Sequence, residues 1–186
     1  MAYVELCARV AVALVFIVSV LSKLSSPASF TGYVNAVRAL GGERLKPPAV
    51  WGAVVVAAEV SVATTLLLPG QLRLRSVGFL AAAALLSLFS FAIVAAVRRG
   101  LQQPCRCFGP SSRPVGATNL LRNGLLLVLC LAGLASGTHG EPSAVGAEIA
   151  AALGVVVAAM TLVLDTLVDL WRPAPASATG SSGARR

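Results

Sequence analysis

The clearest apolar stretch without a charged residue runs over residues 77–97, 21 residues in all. At 1.5 Å rise per residue, a helix of that length spans roughly 30 Å, the hydrocarbon thickness of a bilayer. Lipid offers backbone polar groups no partner, so a segment this apolar must satisfy them within itself, as a helix. Three further segments follow the same rule: 50–68, interrupted only by Glu59; 115–136, with Arg122 in its first third; and 144–164, with Glu148 near its start. The first segment is shorter. Its uncharged core covers 10–22, and it reaches full length if Arg9 and Lys23 snorkel to the two interfaces. A cleaved signal peptide is the rival reading, but no small-residue cleavage site follows and Glu5 falls in the would-be basic region. The count is five spans, or four if the last is not inserted.

Composition agrees. Of 186 residues, 57% are hydrophobic and 12% charged, about half the charge of an ordinary soluble domain. A soluble fold could not bury so much apolar surface. The formal net charge of +8 fits loops meeting anionic head groups. No basic tract is interleaved with aromatics, which argues against nucleic acid as a partner. In the first long connection, Phe30, Tyr33, Val34, Val37 and Leu40 recur at helical spacing and end at Gly41-Gly42, which predicts an interfacial amphipathic helix. Pro47 and Pro48 suit the first turn of the second span. The expected fold is therefore all-α: a polytopic transmembrane helical bundle of four core helices plus a fifth span, residues 1–172, in the cell membrane. A disordered Ala/Ser/Gly/Pro-rich tail, 173–186, follows.

Numbering the spans assigns sides. The end carrying the N-terminus holds three basic residues, Arg9, Arg73 and Arg75; the other end holds the remaining twelve of the fifteen. The positive-inside rule places the second end in the cytoplasm.

Four cysteines are present. Cys105 and Cys107 stand in Pro104-Cys105-Arg106-Cys107-Phe108-Gly109, between the third and fourth spans. Two cysteines one residue apart close only a small, strained ring, and strain makes a disulfide labile. Arg98, Arg99, Arg106 and Arg113 surround the pair and favour the thiolate, the species that exchanges. Redox exchange and an incidental structural role are equally compatible with this chemistry. A metal centre is not expected: zinc needs four ligands, and the single histidine, His139, falls at the other end. The residues call for no cofactor. Cys7 and Cys130 read as apolar core residues, with an electron relay as the sharper alternative. Glu59, near mid-membrane, requires a partner. Arg122, flanked by Asn119 and Asn123, is the basic residue expected to pair with it, either to fix helix register or to line a proton or ligand site.

Taken in order, the elements resemble the MauE family of methylamine-utilisation membrane proteins, related to wider DoxX-like bundles. They are Ser22-Lys23-Leu24 ending the first span, Phe30 and Tyr33 in the amphipathic segment, and Glu59. Then come Arg99-Gly100, Cys105-Arg106-Cys107-Phe108-Gly109, and Leu121-Arg122-Asn123 opening the fourth span. The resemblance is strongest over residues 5–136. It implies a role in maturing an exported enzyme, in the type case methylamine dehydrogenase, by disulfide handling with a thioredoxin-like partner. Cys105 and Cys107 would exchange and Arg106 would tune them, while Glu59, Arg122 and Asn123 support the bundle. The alternatives are a small-molecule or quinone-associated subunit and a non-catalytic assembly subunit. Disulfide formation in an exported client places the cysteine segment outside the cytoplasm, whereas the charge count places it inside; the two expectations point opposite ways.

Overall fold

The computed structural model describes residues 1–41, 46–68, 72–100, 117–136 and 143–170. They form six helices: α1 (Ala2–Leu24), α2 (Pro27–Gly41), α3 (Pro48–Leu67), α4 (Leu72–Arg98), α5 (Ala117–Ala135) and α6 (Ala144–Leu170). Five of them, all but α2, are long and apolar enough to cross a membrane. The expected all-helical, five-span architecture is what the chain adopts. The predicted tail, 173–186, lies outside the described residues.

Helices α1, α3, α4 and α5 form a closed ring, each packed against its two neighbours. Val12, Phe16, Leu66, Phe79, Leu86, Leu126 and Cys130 fill its centre. Lipid gives helices no hydrophobic reason to associate, so close packing must hold them together. Gly133 on α5 shows how close: a methyl group there would overlap the Phe79 ring of α4. The fifth span, α6, docks outside the ring and chiefly on α1. Its contact face is a stripe of small residues four apart, Gly146, Ala150, Gly154 and Ala158. At Gly154 an added side-chain carbon would strike the Cys7 carbonyl and Val10. Ala150 and Ala158 are each only 2% exposed.

Helix α4 begins at Leu72, and Arg75 in its first turn bonds Glu5 within the bundle at 3.4 Å. One local expectation is revised. Lys23 does not snorkel to an interface. It is 1% exposed, because α2 folds back over the end of α1 and packs on α3. The amphipathic helix itself forms where its periodicity placed it. Tyr33 and Val34 turn inward while Asn35 and Arg38 stay exposed.

Candidate functional site

The polar residues of the ring gather near the ends where α1 finishes and α5 starts. On α1, Ser19 and Lys23 are four residues apart and so share a face. That face meets Glu59 of α3. The Lys23 ammonium donates to both carboxylate oxygens, Oε1 at 2.5 Å and Oε2 at 2.6 Å, and to Ser19 Oγ at 2.9 Å. Ser19 Oγ in turn donates to Glu59 Oε1 at 3.1 Å. An ammonium has three N–H groups, and all three are used. Two rings complete the enclosure: the ammonium lies 5.0 Å from the Tyr33 centroid and 5.7 Å from that of Phe89. Both side chains of the ion pair are 0% exposed.

This overturns the expected pairing of Glu59 with Arg122. The reason is topological. In the ring, α3 and α5 lie on a diagonal, and α1 stands beside both, so the basic residue that reaches Glu59 comes from α1. Arg122 is buried all the same, at 3% exposure, with Nη2 3.5 Å from Asn119 Oδ1. Asn123, one residue on, donates from Nδ2 to Ser90 Oγ at 3.3 Å and ties α5 to α4. The amide orientation follows from its neighbour: the Ser90 hydroxyl already donates to the Leu86 carbonyl, so it can only accept from Asn123. That leaves Asn123 Oδ1 buried without a hydrogen-bond partner. Ser90 adjoins Phe89, so the Lys23–Glu59 pair and the Arg122–Asn123 pair belong to one polar layer through the ring.

Chemically, the described part of this layer is a closed structure. Glu59 has no exposure and each of its oxygens is bonded. Between α1 and α3 a groove of about 350 Å³ is lined by apolar side chains, among them Ile17, Leu21, Val60, Ala63 and Leu67, with Thr64 beside them. The layer joins α1, α2, α3 and α4 through Lys23, Glu59, Tyr33 and Phe89.

Cys105, Arg106 and Cys107 lie outside the described residues. Their segment leaves the end of α4 and enters the start of α5, at the same end of the ring as the polar layer. Cys7 and Cys130 are free thiols, Cys7 half-buried and Cys130 buried. Among the described residues no group of three or more His, Cys, Asp or Glu side chains is placed to hold a metal. Sequence reasoning missed Lys23 and Ser19 as partners of Glu59, and Tyr33 as the ring beside the ammonium. The signal available was the four-residue spacing of Ser19 and Lys23, with Tyr33 on the inward face of the next helix.

Residues 1–136 match the MauE family, described as methylamine utilisation protein MauE. No curated protein and no solved structure matches the chain. The match takes in all four ring helices, α2 and the segment holding Cys105 and Cys107, and it ends before α6. The chain is thus a multi-pass membrane protein belonging to the methylamine-utilisation MauE family.

Proposed function

We propose that this protein is a membrane thiol–disulfide exchange factor that acts in the maturation of an exported enzyme. The observation that carries the reading is the Cys105-Arg106-Cys107 element, on a segment that joins two neighbouring helices of the ring. Ring closure across one intervening residue makes the disulfide strained and exchangeable. The arginines around it favour the thiolate.

In the oxidising direction, a thiolate of the client attacks one sulfur of the Cys105–Cys107 disulfide and forms a mixed disulfide. The client's second thiolate then displaces the pair. The client gains a disulfide, and the pair is left as two thiols that have taken up two electrons and the client's two protons. A thioredoxin-like protein in its disulfide form accepts these in a second exchange and restores the Cys105–Cys107 bond. Methylamine dehydrogenase, the client implied by the resemblance, is the first to test.

The test is labelling of intact cells with a membrane-impermeant maleimide, before and after mild reduction, on a chain with Cys7 and Cys130 replaced by Ser. An exchanging pair is protected before reduction and labelled after it. Equal labelling in both conditions in the presence of the client pathway refutes the reading. If the reagent labels only opened cells, the pair serves a cytoplasmic thiol system, in line with the charge count.

A further inference from the structure

A second charged cluster sits at the opposite end of the bundle. Glu5 and Arg9 are four residues apart on α1 and share a face. Arg75, from the first turn of α4, bonds Glu5 Oε1 through Nη1 at 3.4 Å; the Glu5 side chain is 7% exposed and that of Arg75 27%. Arg9 lies within electrostatic range of both, and the trio carries a net charge of +1. The Nε atoms of both arginines are buried and have no hydrogen-bond partner. Such donors are costly to leave unmade, above all on charged groups. The other described acidic residue near this end, Glu148 of α6, is exposed. It points away from the small-residue stripe that meets α1, so it does not neutralise the cluster.

The surroundings are electropositive as well. α1, α4 and α6 all begin at this end, at Ala2, Leu72 and Ala144, and helix N-termini carry partial positive charge. Helical side chains lean toward the N-terminus, so Arg9 leans outward, toward Glu5 and the membrane surface. Glu5 lies only about 5 Å along the axis from the start of α1.

We propose that Arg9 and Arg75, set beside Glu5, form a recognition site for a phosphate group, held by the guanidinium N–H donors that Glu5 does not take. Two guanidinium groups beside one singly bonded carboxylate leave spare donors of the kind that phosphate oxygens accept. A singly charged phosphodiester balances the net charge of the trio. The group is the head group of an anionic phospholipid or a free phosphate.

The test uses the full chain, purified in a neutral detergent and scored by native mass spectrometry for bound phosphatidylglycerol, phosphatidylcholine and inorganic phosphate. Phosphatidylglycerol is expected to bind about tenfold more tightly than phosphatidylcholine, whose choline cation meets the arginines. R9Q and R75Q should each remove most of that preference, while R38Q, at the other end of the bundle, keeps it. Should R9Q fail to fold, R9K serves in its place: it retains the charge without the fork and should also lose most of the preference. Displacement of the lipid by millimolar inorganic phosphate assigns the site to phosphate as such; retention of the lipid assigns it to the head group in its bilayer setting. Equal binding of the two lipids, or an undiminished preference in folded R9Q and R75Q, overturns the proposal.

Discussion

Breaking the Lys23–Glu59 pair from one side should be far more damaging than removing it whole. Glu59→Gln leaves the shape of the side chain but removes the charge that receives two bonds from Lys23 and one from Ser19, and strands an ammonium that is 0% exposed. Lys23→Met strands a carboxylate in the same dry site. Removing one partner of a buried ion pair costs about 3–5 kcal/mol, because the remaining charge is uncompensated. Replacing both by apolar residues of similar volume is often close to neutral. The double variant K23M/E59L should therefore be more stable than the sum of its singles implies, by roughly 2–3 kcal/mol of coupling. The assay is reversible unfolding by SDS titration in mixed micelles, followed by circular dichroism, on the wild type, both singles and the double. Single losses that add to within about 0.5 kcal/mol in the double would refute the reasoning. Arg122→Ala provides the contrast: since Arg122 does not hold Glu59, its cycle with Glu59→Gln should be additive.

Three further outcomes are expected. Cys105→Ser and Cys107→Ser should each abolish client maturation in a complementation assay, while Cys7→Ser leaves it nearly intact; equal tolerance of all three would return the pair to a structural role. Gly133→Ala drives a methyl group into the Phe79 ring and should cost about 1–3 kcal/mol, whereas Gly124→Ala, with open space at that position, should be neutral or slightly stabilising in the same titration. Gly154→Leu should pry α6 from α1 without opening the ring, seen as faster proteolysis of α6 while α1–α5 remain protected.

The division between sequence and tertiary structure runs along range. Span number, span type and the interfacial α2 followed from the sequence because lipid imposes a local rule: a backbone that cannot meet water must close its own hydrogen bonds, and about 20 apolar residues are needed to cross. The same local logic made Glu59 stand out, since an acidic residue at that depth needs a partner. Which residue serves as that partner is not local. Arg122 and Lys23 both approach from the same end, and depth alone favours neither. The choice falls to Lys23 because α1 neighbours α3 in the ring while α5 lies across it, and because α2 folds Tyr33 over the ammonium to exclude water. Likewise nothing local joins Arg75 to Glu5; the contact arises only when the start of α4 is set beside that of α1. The Cys105–Cys107 element is legible only in the sequence, as a reactive spacing in one short segment. The helix arrangement that pairs Lys23 with Glu59 and Glu5 with Arg75 is set by close packing of small residues such as Gly133 and Gly154, whose effect appears only when two helices meet.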